Sequence, residues 1–363
     1  MANSVYIHIP FCKSICSYCD FCKMFYNRKY ALEYLRVLEK EIDSRYTGEM
    51  VDSIYVGGGT PTVLDNELLF FLMKICNKFK LKDKYEFTVE SNIESIDEDK
   101  LKILKDNGVN RISFGVESFD DKILKILGRS HRKAEIYEKI TLTKSYFDNI
   151  NIDLIYGVNN DIGVVKRDID NVLKLNINHV SCYSLILENH TKLVLDNYKY
   201  ISDDISYEMY NYIRNALDDN NFIHYEISNY SKDGYESLHN KIYWLNQDYY
   251  GFGLSSVSYL NYHRISNTKN MRKYLNGNYV DNNIYENDMI RKENGLILGL
   301  RLIDGIDVNY YNEKYSTNLL DYDIIKEMID DNKLEVVNNK LKIREEYIYL
   351  SNQILCDFIG GLK

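Results

Sequence analysis

Two periodicities alternate along the first two-thirds of this chain, and few folds accommodate both. Short apolar runs at residues 4–9, 53–56, 86–90, 111–115, 150–156, 179–185 and 223–227 read as strands. Longer stretches between them, at 31–42, 68–79, 98–105, 122–127, 133–146, 164–175 and 206–217, repeat their apolar residues every three or four positions. Leu32, Leu35, Leu38 and Ile42, for example, fall on one stripe of a helix. A strand that returns through a helix lies parallel to its predecessor, so the pattern predicts a parallel sheet covered by helices. The expected fold class is α/β: a partial, six-stranded (β/α) barrel with its chemistry at the C-terminal ends of the strands.

The pattern changes beyond the segment 1–230. Residues 231–285 are rich in Tyr, Asn and Gly, show weak periodicity, and are expected to pack on the barrel. Residues 286–363 read as a small α+β, winged-helix-like domain, with helices at 289–302 and 321–332, a hairpin at 333–343 turning at Asn338–Asn339, and a last helix at 345–359. Winged helices often bind DNA, but this segment has no basic surplus and the chain carries a net charge of −9, so no nucleic-acid partner is expected. A structural or partner-docking role fits better. No apolar run nears the roughly 18 residues of a membrane span, and residues 1–10 lack the features of a signal peptide, so the expected location is the cytoplasm.

The seven cysteines divide unevenly. Cys12, Cys16, Cys19 and Cys22 follow the first strand, whereas Cys76, Cys182 and Cys356 are scattered and read as small core residues. An odd count without a leader is not a disulfide framework. Three thiolates at C-x3-C-x2-C can hold a [4Fe–4S] cluster and leave one iron open for a substrate. Zinc with Cys22 as fourth ligand, or a cluster with four cysteine ligands, are the alternatives. Gly57, Gly58 and Gly59 follow the second strand; such a run serves close backbone approach by a polar ligand or simply a tight turn. Thr60, Glu90, Arg129 and Asp153 all fall at or just beyond strand ends.

The string YIHIPFC…CSYCDF, the GGGTPT segment ending at Thr62, VESN at 89–92, NRISFGVESF at 110–119, LGRSH at 127–131 and NIDLIYG at 151–157 together resemble the radical S-adenosyl-L-methionine (SAM) superfamily. Within it they resemble the oxygen-independent coproporphyrinogen III oxidase family, in register to about residue 260. The resemblance implies a [4Fe–4S] cluster on Cys12, Cys16 and Cys19. It implies that the SAM amino group lies near Gly58 and Gly59, that Arg129 pairs with its carboxylate and that Asp153 accepts from its ribose. Tyr6, Tyr18, Thr60 and Glu90 match cofactor-contacting positions, and the backbone at Val257, in the segment GFGLSSVS, matches one near the adenine. Glu117 stands where the oxidases have Gln at a second SAM site, and Gly157-Val158-Asn159 replaces the usual Gly-Leu-Pro. In the family's chemistry, SAM chelates the open iron and one electron cleaves it to methionine and a 5′-deoxyadenosyl radical, which the barrel shields from water.

Two branches of that family are distinguishable. Oxidases, which decarboxylate two propionates of coproporphyrinogen III, carry an extension before the cluster loop, whereas Tyr6 lies almost at the start here. They also follow C-x2-C-x-C, whereas here Cys19 opens a CDF string and Cys22 comes one position later. His239-Asn-Lys-Ile-Tyr243-Trp244 matches the HNxxYW motif of the haem chaperone branch and contains the only tryptophan. The resemblance therefore implies haem as cargo, with His239 as a candidate iron ligand and Tyr243 and Trp244 against the macrocycle. It further implies a haem-acceptor protein and an electron donor such as flavodoxin or ferredoxin.

Overall fold

The computed structural model describes residues 2–362. Strand β1 (Ser4–Ile9) leads into a small parallel pair, β2 (Phe11–Cys12) and β3 (Met24–Phe25), which frames the cysteine loop. Five further strands follow in chain order: β4 (Met50–Gly58), β5 (Lys80–Asn92), β6 (Arg111–Glu117), β7 (Asn149–Tyr156) and β8 (His179–Ser184). With β1 they form six adjacent parallel strands, as the alternation predicts. The crossovers are α1 (Arg28–Arg45), α2 (Asn66–Cys76), α3 (Glu98–Asp106), the pair α4 (Asp121–Ile126) and α5 (Lys133–Lys144), and α6 (Ile162–Leu175). Their N-termini are fixed by side-chain caps such as Asn27, Asp65, Asp97 and Asp120. After α7 (Lys192–Leu195) and α8 (Asp203–Asp218), β10 (Asn229–Ser231) pairs antiparallel with β8, and β9 (Ile223–Glu226) pairs antiparallel with β10.

Residues 231–285 set one helix across the barrel floor and extend the barrel's sheet. After α9 (Leu238–Trp244), β11 (Tyr249–Phe252) pairs parallel with the free edge of β1. Antiparallel strands β12 (Val257–Leu260), β13 (His263–Asn267) and, after α10 (Met271–Leu275), β14 (Val280–Tyr285) continue outward, completing a sheet of twelve strands. Their alternation is hidden because β11 is buried along nearly its whole length while β14 is exposed along all of it.

The C-terminal region has its own core, built on Tyr311, Leu319, Ile325, Leu341 and Phe358. It comprises α11 (Asp288–Gly299), β15 (Ile306–Asp307), α12 (Val308–Tyr315), α13 (Asp323–Asp330) and the hairpin β16 (Leu334–Val337)–β17 (Lys340–Ile343). Asn338 and Asn339 turn the hairpin with φ of 50° and 64°, the left-handed pair that a two-residue turn needs. Helix α12 has no apolar stripe in the sequence and was not expected. The expected last helix is split into a 3-10 stretch, Glu345–Leu350, and α14 (Ser351–Asp357).

The lumen of the parallel strands decides the rest. Their outward side chains are apolar: Val5, Ile7, Ile54, Val56, Phe87, Val89, Ile112, Phe114, Ile150, Ile152 and Val180 are all buried beneath the helices. Inward, the register stacks polar groups in layers: Glu90, Ser113, Asn151 and His179 in one, Asn92, Gly115, Asp153 and Ser181 in the next. A buried polar lumen must satisfy its own hydrogen bonds. At its floor, helix α9 does this. Glu86 accepts from the Leu238 backbone N–H at 2.7 Å and from Ser237 Oγ at 3.2 Å, placing a carboxyl group on the first turn of α9. Replacing Glu86 by Ala removes both bonds and is expected to cost about 2–4 kcal/mol, read as a lowered urea midpoint with unchanged m-value. A midpoint equal to the parent's would show that α9 is held by other contacts.

Candidate functional site

Above that floor, the C-terminal strand ends enclose a cavity of 460 Å3. Its lining includes Tyr18, Cys19, Tyr55, Glu90, Arg111, Glu117, Asp153, Tyr183 and Asn240. Three carboxyl groups set deep in the cavity, Glu90, Glu117 and Asp153, thus meet one guanidinium, while Asp20 and Glu188 line it from exposed positions. Burial pushes Glu90 up to about 7 although Tyr55 OH at 2.8 Å and the Gly58 backbone N–H at 2.9 Å donate to it. Burial also pushes Glu117 up to about 7, against the opposing charge of Arg129 and the bond from Tyr18 OH at 2.7 Å. Asp153 is raised for the same reason, with Asn151 Nδ2 at 2.8 Å and Ser113 Oγ at 3.3 Å donating to it. Glu117 ends β6 with a φ of 68°, a left-handed backbone unusual for a glutamate.

The cysteine loop joins this cavity through one chain of hydrogen bonds. Thr60 Oγ1 donates to Cys12 Sγ at 3.8 Å and accepts from Asn92 Nδ2 at 2.9 Å. Asn92 Oδ1 accepts from Arg129 Nη2 at 2.8 Å, and Arg129 Nη1 donates to Cys16 Sγ at 3.3 Å. Arg129 also donates to the Gly115 carbonyl and lies 3.8 Å from Glu117. The loop is seated by Ser17, whose N–H donates to Leu127 O at 2.9 Å and whose Oγ would lie 2.8 Å from any Cβ at Gly128. Gly59 has a similar reason: a Cβ there would meet the Phe11 carbonyl at 2.7 Å, because the two loops touch. The Cys22 thiol points elsewhere, with Ser255, Lys269 and Lys23 as its neighbours.

The residues singled out from the sequence divide accordingly. Tyr18, Cys19, Glu90, Glu117 and Asp153 line the cavity. Cys12, Cys16, Thr60 and Arg129 form the chain behind it. The Gly58 N–H is engaged by Glu90 and the Gly59 N–H by Ile9 O, so neither is a free donor. Tyr6 stacks on Tyr55 with its OH 3.0 Å from His8 Nδ1. Val257 lies on β12, and among the described residues the cavity lining includes none from that strand. His239 lies inside α9, buried, with Nδ1 2.9 Å from Ser53 Oγ, Nε2 2.8 Å from Tyr243 OH, and its ring stacked on Tyr55. Both nitrogens are engaged, so iron ligation by His239 requires breaking one of these bonds.

Sequence reasoning missed Tyr55, Arg111, Ser113, Ser181, Tyr183 and Asn240 as cavity or lumen residues. A signal existed. Buried parallel strands are normally apolar on both faces, and a polar residue at every second position, as in Arg111-Ile-Ser113 or Asn151-Ile-Asp153, marks a polar lumen.

This donor set fits an iron–sulfur cluster and SAM. Burial pushes the Cys12 thiol up to about 11 and Cys19 up as well, and a cationic iron beside them would favour their thiolate forms. Among the described residues no group of three ligating side chains closes on a single metal ion. The Arg129 and Arg111 Nε–H groups are buried without an acceptor. SAM carries a sulfonium and an ammonium beside a carboxylate, matching carboxyl groups that are held near neutrality and two under-satisfied guanidinium groups.

Comparison with known proteins agrees. Residues 6–168 match the model of the radical SAM superfamily. A protein of Lactococcus lactis described as heme chaperone HemW is 36% identical, over 98% of this chain and 97% of its own length. The Bacillus subtilis protein of the same description is 33% identical over 99% of this chain and 100% of its own length. This chain belongs to the HemW family. The Escherichia coli protein of the same description is 29% identical over 77% of this chain and 77% of its own length. The solved structure of the coproporphyrinogen III oxidase HemN from Escherichia coli superposes with a TM-score of 0.86 at 22% identity, covering 98% of this chain and 90% of HemN, a likeness of fold. Membership of the HemW family, within the radical SAM superfamily, implies a [4Fe–4S] cluster and SAM. No helix among the described residues is long and apolar enough to cross a membrane.

The raised carboxyls give a pH dependence with a defined sign. Glu90 and Glu117 bind their protons more tightly folded, at about 7, than at their ordinary 4.5. Stability is therefore lost as pH rises from about 4.5 through 7, and a cation in the cavity restores it. The melting temperature of the cluster-loaded chain without SAM is expected to fall between about pH 4.5 and 7, while the increment given by SAM grows. A SAM increment that shrinks over that range would contradict the assignment.

Proposed function

We propose that this chain is a haem chaperone. It holds a [4Fe–4S] cluster on Cys12, Cys16 and Cys19, binds SAM in the 460 Å3 cavity, and passes haem to an acceptor protein. The observation that carries the reading is identity across 98% of the chain to a HemW haem chaperone, including the region beyond the radical SAM match. The cluster, when bound, supplies the electron and the open iron that anchors SAM. The chain's own residues position and shield. Thr60 and Arg129 steady two thiols through hydrogen bonds to sulfur, Glu90 and Glu117 face the cationic end of SAM, and Asp153 is placed to accept from ribose hydroxyls. An electron donor of the flavodoxin or ferredoxin class and a cytoplasmic location complete the proposal.

Two measurements check it. Replacing Cys12, Cys16 or Cys19 by Ala is expected to remove the iron, about four per chain after anaerobic reconstitution, whereas Cys22→Ala retains it. Iron lost only with Cys22 would overturn the three-ligand assignment. In an anaerobic assay with reductant and SAM, the chain is expected to bind haem at about one per chain and to leave the propionates of coproporphyrinogen III intact. Formation of vinyl product would establish the oxidase activity instead.

A further inference from the structure

A second and larger cavity, of 690 Å3, lies on the other side of α9, between that helix, β9 and the C-terminal region. Trp244, Tyr310, Tyr311, Tyr315, Leu302 and Ile306 give it broad apolar and aromatic walls. Four lysines stand among its lining residues. Lys340 pairs with Asp304, Lys342 with Glu335 at 3.2 Å, and Lys241 lies 3.7 Å from Glu236. Lys314 differs. Its ammonium donates to the carbonyls of Leu245 and Asn246, at 2.7 and 2.9 Å, and burial lowers it to about 8. It is a desolvated cation held by neutral acceptors at the cavity edge, a position that a carboxylate would stabilise. His224 also lines the cavity, the only histidine among the described residues to do so.

We propose that this cavity, rather than the barrel lumen, receives the tetrapyrrole, its ring against Trp244, Tyr310 and Tyr315 and one propionate on Lys314. The proposal rests on the haem chaperone reading and adds the place of the cargo. Two arguments favour it over the lumen. Haem carries two propionates; in the lumen they would meet Glu90, Glu117 and Asp153, with Asp20 and Glu188 at the rim, against one guanidinium, whereas the outer cavity sets four lysines against Glu236, Asp304 and Asp307. The lumen cavity, at 460 Å3, is also the smaller of the two and has SAM to hold. The HNxxYW segment then acts on both sides of one short helix: Asn240 faces the lumen cavity and Trp244 the outer one. His239, engaged at both nitrogens, holds the helix in place.

The test uses the full, cluster-loaded chain, with haem and its propionate dimethyl ester as probes, followed by Soret absorbance. Lys314→Gln is expected to weaken haem about tenfold or more and leave the diester unchanged, with iron content and SAM affinity as in the parent. Should that variant fold poorly, Leu302→Trp, which fills the cavity, is expected to abolish binding of both probes while SAM still binds. Haem that binds the variants as it binds the parent, or that SAM displaces competitively, would overturn the placement and leave the chaperone reading intact. A parent chain that binds no haem would overturn both.

Discussion

The carboxyl group of Glu86 against the first turn of α9 is the contact on which the rest of the site depends. Six parallel strands with polar inner faces cannot stand open at both ends, because water at the ends would relieve the burial that raises Glu90 and Glu117. Helix α9 closes one end with a helix N-terminus, which supplies N–H donors and a partial positive charge where Glu86 offers acceptors. With the floor sealed, Tyr55 is fixed between Tyr6 and His239, and its hydroxyl is aimed at Glu90. The orientation of an acidic group at the top of the barrel thus follows from a helix at its bottom.

The upper rim works by continuity of another kind. Cys12 and Cys16 belong to a loop, yet they are tied through Thr60, Asn92 and Arg129 to the ends of β4 and β5 and to the turn after α4. A loop alone would wander; a loop whose sulfurs accept hydrogen bonds from two residues that Asn92 links to a third barrel segment takes its geometry from the sheet. The same network explains why the guanidinium of Arg129 is 4% exposed and unavailable for a surface ion pair. A neutral replacement there would strand Glu117 as well as two polar acceptors.

Much of this was legible in the sequence, and the limits have physical causes. Strand–helix alternation gave the six parallel strands, because each unit carries its own period. The cysteine spacing and the strand-end residues gave most of the cavity, because strand ends gather at one rim whatever the details. What failed was long-range. Nothing near His239 announces that Ser53 and Tyr55, far away in the chain, will enclose it, so its burial is not legible in the sequence. Strands β11 to β14 escaped because one is buried on both faces and another on neither, and α12 because its buried face is made of tyrosines. Period detects half-buried elements and little else.

Helix α9 is seven residues long and separates two chambers. Partitions in proteins are usually whole sheets or layers, thick enough to absorb a displacement on one side. This one is a single helix wide, with Asn240 on one surface and Lys241 and Trp244 on the other, so the two chambers have a common wall. A shift that makes room for a bulky occupant outside takes the ceiling of one chamber with the floor of the other, and neither volume can be adjusted in isolation.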